Sequence, residues 1–367
     1  MDNDLRRELA LTRRVEQQQQ KKIANLKPIG ETILEHTIGY EQLAVDLTAA
    51  LASREPDIGV KKALHFALLE DFDHLYRYSD LLDMEYGVKG EHLVGGYTEI
   101  MPGRPTISEH RFPYDDVRYP IDSSAALITK LNVNIITAAE QQTMNYYMNQ
   151  QGFYKTALGR KLYQEIGMIE EQHVTQYESL KDPNSTWLEM WLMHEYTECY
   201  LYYSCFEDET DPWIKRMWEQ FFLIELSHLN RAAELLEMYE NKHWSQVIPG
   251  GEFPELLHLG SNIEYVRGVL GSVNVTAKRE HYFAVADMPP QSDFFRYQDS
   301  VNPDAANEPS HAVIEEYLKK FPEDYRFQVA PHPVEALRNR ECDNTKVGRS
   351  PSETADAELL VKTLQNA

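Results

Sequence analysis

The stretch from Val133 to Leu180 decides the fold, and it reads VNIITAAEQQTMNYYMNQQGFYKTALGRKLYQEIGMIEEQHVTQYESL. In its first and last thirds, apolar residues recur at the i, i+3, i+4 and i+7 positions that form one face of an α-helix. Glu140 lies on the apolar face of the first helix. Glu170 and His173 lie on the apolar face of the second, as the ends of a Glu-x-x-His motif that begins 30 positions after Glu140. The stretch therefore predicts a helical hairpin with carboxylate and imidazole groups on its buried side.

Two further segments repeat this arrangement, so the chain contains three predicted hairpins, at 41–74, 140–173 and 195–228. In each one, an acidic residue precedes an acidic-x-x-His motif by 30 positions on the preceding helix. The third hairpin has a second candidate one turn after its first acidic residue. The candidate ligand side chains are Glu41, Asp71, His74, Glu140, Glu170, His173, Glu195, Glu198, Glu225 and His228.

Composition and charge exclude several classes of function. The 367 residues include 36 basic and 59 acidic ones, for a formal net charge of −23. Nucleic acids and anionic membranes select clustered lysine and arginine, so we expect neither as a partner. No apolar run approaches the length of a membrane span, and the charged start lacks the apolar segment of a secretory signal. The three cysteines form no Cys-x-x-Cys pair, which favours a reducing, cytoplasmic location and argues against a thiolate metal site.

Helical patterns and their interruptions predict an all-α chain in three segments. Residues 1–29 form a polar N-terminal helix that either docks weakly or serves a partner, and residues 30–245 form a helical bundle. Within the bundle, residues 84–122 lose the helical period and are rich in Gly and Pro, which is typical of a crossover, a lid or a binding loop. Residues 246–367 form a C-terminal segment with two more helices and, from Arg340, an extended tail.

The candidate ligands lie on apolar helix faces, and this placement demands a counter-charge. An ionised carboxylate left unpaired in a helical core is strongly unfavourable, and few lysines or arginines share these faces. Metal cations can supply the charge, because carboxylate oxygens bridge two ions and imidazole nitrogens complete the coordination. The i, i+3 spacing directs both side chains of each motif toward one point. The alternative interpretation is a set of partly exposed acids and ordinary core histidines.

The repeated pattern of Glu followed by Glu-x-x-His resembles the ferritin-like superfamily of di-iron and di-manganese carboxylate proteins, including its rubrerythrin-like members. The resemblance covers roughly residues 30–240. It implies a ferritin-like four-helix bundle, here with an additional helical hairpin and a C-terminal extension, and two iron ions, two manganese ions or one of each as the cofactor. Glu140 would be a terminal ligand, Glu170 would bridge both ions and His173 would bind one of them. The other two hairpins would supply the same roles.

The chain departs from the family pattern in three respects. Asp71 stands where the pattern has Glu, and there are three half-sets of ligands where two are needed. A rubredoxin-type Cys-x-x-Cys iron site is also missing, which puts a rubrerythrin-type peroxide reductase in doubt.

The pairing of hairpins follows from the symmetry of such a site, whose two Glu-x-x-His helices must run in opposite directions. The segment 84–122 is long enough to reverse the direction between the first and second hairpins, whereas the turn at 182–186 is too short to do so between the second and third. We therefore predict a site built from the first and second hairpins, while the pairings of one with three and two with three stay open. The unpaired hairpin could face its copy in a homodimer.

These features predict a di-metal oxidoreductase that activates oxygen or peroxide, with a small-molecule substrate and no catalytic residues beyond the metal ligands. A metal-storage or metal-sensing protein without an organic substrate is the first alternative. A non-catalytic helical scaffold with solvated acids is the second.

Overall fold

The structure, a computed structural model, describes residues 2–100, 119–272 and 309–321. All regular structure in these ranges is helical, which confirms the all-α prediction. The helices are α1 (Asn3–Ala24), α2 (Ile33–Arg54), α3 (Ile58–Tyr86), α4 (Gly90–Leu93), α5 (Leu127–Phe153), α6 (Ala157–Glu178), α7 (Trp187–Asp208), α8 (Pro212–Glu240), α9 (Ile263–Ser272) and α10 (Pro309–Lys320), with a 3-10 turn at Trp244–Gln246. Within the described ranges, none of these helices combines the length and apolar character that a membrane span requires.

The described residues group into two compact units. The first unit contains residues 2–32, 122–134 and 182–258, and the second contains the remainder. The first and second predicted hairpins, α2–α3 and α5–α6, supply their candidate ligands to the second unit, whereas the third hairpin, α7–α8, belongs to the first unit together with α1. These units do not coincide with the three segments 1–29, 30–245 and 246–367 expected from the sequence.

Local capping explains where the helices of the second unit begin and end. The Asp57 carboxylate accepts the backbone N–H of Val60 at 2.9 Å and starts α3. Gly87, at φ 66°, ends α3 in the left-handed conformation that glycine adopts without steric cost. The Thr156 hydroxyl caps α6, and Gly159 in the first turn leaves room for the ring of Tyr154, into which a Cβ would project. These caps fix the register of α3 and α6, the two helices that carry the acidic-x-x-His motifs.

The α7–α8 hairpin of the first unit forms as its sequence predicts. Thr186 and Glu189 make the reciprocal capping box at the start of α7. The Asp211 carboxylate accepts two backbone N–H groups at the start of α8, whose first residue is Pro212. Helix α1 docks on this hairpin, where Glu8 pairs with Arg231 at 3.0 Å.

The structure outside the hairpins agrees only in part with the prediction from the sequence. The two helices predicted in the C-terminal segment, near 262–281 and 311–321, agree with α9 and α10 over the described residues, and residues 273–281 lie outside them. The prediction that helix is absent from 84–122 is wrong at its start, because α3 continues to Tyr86 and α4 adds one further turn. Residues 101–118 of this segment, and the tail expected from Arg340, lie outside the described residues.

Candidate metal centre

Six candidate ligands from α2, α3, α5 and α6 meet in the interior of the second unit. Each has at most 1% of its surface exposed, and the six are Glu41, Asp71, His74, Glu140, Glu170 and His173. They come from the first and second hairpins, which is the pairing favoured by the direction argument. The convergence depends on α3, whose residues are buried almost all round between Val60 and Asp83.

The six side chains form two groups that share one carboxylate. In one group, ligand atoms of Glu41, His74 and Glu170 lie within 4.8 Å of one another. In the other, Asp71, Glu140 and His173 lie equally close to Glu170. Glu170 Oε1 is 3.0 Å from His74 Nδ1, and its Oε2 is 3.2 Å from His173 Nδ1. Each oxygen of Glu170 thus faces a different histidine, which is the geometry of a bridging ligand.

The motif helices α3 and α6 run antiparallel through the centre. His74 lies beside Glu170, while Asp71 Oδ1 lies 3.4 Å from His173 Nδ1. The residue number therefore rises on one helix as it falls on the other. Further along, the Gln176 side-chain amide donates to the Ala63 carbonyl at 3.0 Å and continues this order. The two motifs have the opposite directions that a pseudo-two-fold site requires.

The oxygen atoms at the centre lack ordinary partners. Glu41 Oε2, both oxygens of Asp71 and of Glu140, and Glu170 Oε2 are buried without a hydrogen-bond partner among the described residues. Within the same ranges, no lysine or arginine pairs with these four carboxylates. The nearby buried guanidinium of Arg77 instead binds Asp73 at 2.6 Å. Orphaned buried polar atoms in this number are rare in native proteins, and a bound cation would supply the partner that these oxygens lack.

The pKa values of these acids are also shifted, because their charges are buried without partners. Burial raises the pKa of Glu140 to about 7, with the charge of Glu170 adding to the effect. Burial and the charge of Glu170 raise the pKa of Glu41 well above its usual range, and burial and the charge of Glu140 do the same to Asp71. Burial lowers the pKa of His74 well below its usual range. The pocket therefore stabilises the ionised carboxylates poorly by itself. The two histidines differ, because burial of His173 is outweighed by hydrogen bonds to Glu140, Glu170 and Glu70, which raise its pKa well above its usual range.

His173 is held by an acidic residue that the motif search did not select. Its Nε2 lies 2.8 Å from Glu70 Oε2, and its Nδ1 faces the carboxylates of Glu170 and Asp71 at 3.2 and 3.4 Å. A carboxylate that fixes the tautomer of a histidine in this way is a recurrent partner of metal-binding imidazoles. The sequence feature that could have identified Glu70 is its position beside Asp71, as an acidic residue in a helix whose other residues are mostly apolar.

Removing the Glu70 carboxylate should weaken metal binding. We expect Glu70→Ala to reduce the affinity of the His173 position by about 10–100-fold, the usual effect of losing such a partner. Glu70→Gln should recover part of the loss, since its amide oxygen can still accept the N–H bond. Competition titration with a chelator measures the affinity. Equal affinity in Glu70→Ala and in the surface variant Glu178→Ala would contradict this role.

Tyrosines surround the carboxylates on one side. The Tyr147 hydroxyl donates to Glu41 Oε1, so that only Oε2 of Glu41 remains directed into the centre. Tyr78, one helical turn after His74, packs its ring 5.3 Å from that of Tyr147. The Tyr78 hydroxyl is buried and has no hydrogen-bond partner within the described ranges.

The four candidates of the third hairpin do not join this centre. Glu195, Glu225 and His228 form a separate group in the first unit. Glu198 is half-buried and belongs to neither group of ligand atoms. A further group combines Glu195 with Glu16 and His194, which sequence reasoning missed because α1 shows only a loose apolar stripe.

Comparison with models of known protein families, with curated proteins and with solved structures finds no match to this chain.

Proposed function

We propose that the second unit binds two metal ions and that the chain is a ferritin-like di-metal carboxylate oxidoreductase that activates dioxygen or peroxide. The observation that carries this proposal is the convergence of six buried, unpartnered carboxylate oxygens on two histidines, with Glu170 common to both groups. Four ionised carboxylates carry four negative charges, and two divalent cations with neutral imidazoles balance them. A carboxylate-rich site with imidazole and without thiolate suits iron or manganese, and iron is our first choice.

In this proposal each ion has its own set of ligands, and one carboxylate is shared. Glu41 and His74 would bind one ion, while Glu140, His173 and Asp71 would bind the other. Glu170 would bridge them. The antiparallel course of α3 and α6 supports a ferritin-like arrangement of α2, α3, α5 and α6 around the ions.

The protein groups around the ions would position ligands and exclude water. The Tyr147 hydroxyl orients Glu41, and Glu70 orients His173. Two ions held by a common carboxylate can act together on one small oxygen species, which is the chemistry that such a pair supplies. Because every ligand is at most 1% exposed, a small reactant such as dioxygen or peroxide fits the closed centre better than a bulky one.

Oxygen consumption by the ferrous protein tests the activity. After anaerobic loading with Fe²⁺, we expect the wild-type chain to consume dioxygen at least about tenfold faster than Glu170→Gln, because one change removes a ligand from both ions. Glu178→Gln, a surface change on the same helix, should behave as wild type. Metal binding by the wild type with no dioxygen or peroxide consumption would instead favour storage or sensing. Absence of bound metal would leave only a helical scaffold.

A further inference from the structure

A second cluster of candidate ligands lies in the first unit, on α1, α7 and α8. His228 Nδ1 is 2.7 Å from Glu225 Oε2 and 3.7 Å from Glu195 Oε2. On the outer side, His194 Nε2 is 3.5 Å from Glu16 Oε1. Glu195 belongs to both groups of ligand atoms, each of which spans less than 4.8 Å. The cluster shares no residue with the centre of the second unit.

Glu195 gives an independent sign that the cluster lacks a ligand. Its side chain is fully buried, and Oε1 accepts the indole N–H of Trp191 at 2.5 Å. Oε2 is buried beside His228 and has no hydrogen-bond partner among the described residues. A carboxylate with one oxygen anchored and the other left without a partner is oriented to coordinate a cation.

Helix α1 completes the cluster through Gln19. The side chain of Gln19 is only 3% exposed, and its amide donates to Glu225 Oε1. The second oxygen of Glu225 is thereby kept on the side of His228. Gln19 lies one turn after Glu16, so the polar face of α1 meets the ligand face of the α7–α8 hairpin.

The charges at the inner group favour a divalent cation. Glu195 and Glu225 carry two negative charges when ionised, and one divalent ion with a neutral His228 neutralises them. Within the described ranges, the nearby Arg231 is occupied by Glu8 and Glu234.

We propose that Glu195, Glu225 and His228 bind a single divalent transition-metal ion, with Glu16 and His194 at its solvent-facing side. The mixture of carboxylate and imidazole suits Mn²⁺, Fe²⁺, Co²⁺ or Zn²⁺. The bound ion joins α7 to α8 directly and holds α1 through Gln19 and Glu16. This site is a structural element of the first unit, independent of the oxygen chemistry proposed for the second.

Cobalt titration of full-length variants tests the site. In a Glu170→Gln background, which disables the other centre, we expect one Co²⁺ per chain to remain, detected by equilibrium dialysis and visible absorption. Adding Glu195→Gln or Glu225→Gln should weaken this binding at least about tenfold. Adding Glu219→Gln, an exposed change on α8, should leave it unchanged. Comparison within one background separates this result from the fate of the proposed oxidoreductase.

Two controls make the result decisive. Circular dichroism establishes that each variant is helical, and if Glu225→Gln loses helicity the comparison rests on Glu195→Gln. Hydrogen exchange in the Glu170→Gln chain should slow in α1 when Co²⁺ is added, since the ion ties α1 to the hairpin. Equal Co²⁺ affinity in the Glu195→Gln and Glu219→Gln chains, or unchanged exchange in α1, would overturn the proposal and leave His228 as the partner of an ordinary ion pair.

Discussion

Replacing Glu170 with glutamine is expected to remove two metal ions per chain relative to the wild type. One oxygen of this carboxylate faces His74 and the other faces His173, so a single change deprives both positions of a negatively charged ligand. The neutral amide cannot bridge two cations in the same way. Elemental analysis of the purified chain, loaded with Fe²⁺ or Mn²⁺ and then dialysed, measures the loss.

Glu140→Gln supplies the informative comparison. Glu140 belongs to only one of the two groups. Its replacement should therefore weaken the binding of one ion and leave the Glu41–His74 position occupied. Glu178→Gln, exposed on the same helix as Glu170, should retain the full content. If Glu170→Gln and Glu178→Gln bind equal amounts of metal, Glu170 does not bridge two ions.

Chelation of the metal is expected to lower the melting temperature by about 10–20 °C. At free metal concentrations about 100 times the dissociation constant, each ion stabilises the folded state by about 2.7 kcal/mol, and two ions by about 5 kcal/mol. For a body of this size, 1 kcal/mol corresponds to roughly 2–4 °C. The apo state also retains mutually repelling carboxylates in a closed core. Differential scanning calorimetry with and without chelator measures the change.

This measurement is cleanest in the Glu225→Gln chain, where only the second unit would contribute metal. The doubly substituted chain that also carries Glu170→Gln should melt at the same temperature with and without chelator. A wild-type melting temperature that chelation leaves unaltered would show that the carboxylates are satisfied by protonation instead of by cations.

The sequence alone selects the six side chains that the structure brings together in the candidate metal centre, because they obey local spacing rules. Glu170 and His173 are separated by three residues on one helical face, and the apolar neighbours of Glu140 show that it also points inward. The choice of the first and second hairpins depended on helix direction. In the structure the pairs Asp71–His173 and His74–Glu170 show that α3 and α6 run in opposite directions, while the metal site itself stays a prediction. Helical periodicity was therefore sufficient to identify side chains that share one buried face of a helix.

The contacts that Glu70 and Gln19 make with other helices could not be predicted, because no local spacing rule marks either residue. Glu70 reaches His173 across 103 positions, and Gln19 reaches Glu225 across 206. Helix α1 is mostly polar, so its pattern gave no reason to place it on α8 instead of in solvent. His194 precedes Glu195 on a face that is half exposed, and nothing in its spacing distinguishes it from a surface histidine.

The interleaved course of the chain through the two units affects how the protein can be made. The first unit takes residues 2–32 from the beginning and 182–258 from much later, with the second unit's helices α2 and α3 synthesised between them. On the ribosome, α1 emerges well before α7 and α8, so this unit can close only after α8 has left the exit tunnel. For the same reason, no single cleavage point separates the two units, and an N-terminal deletion through α1 would strip a partner from helices encoded some 200 codons downstream.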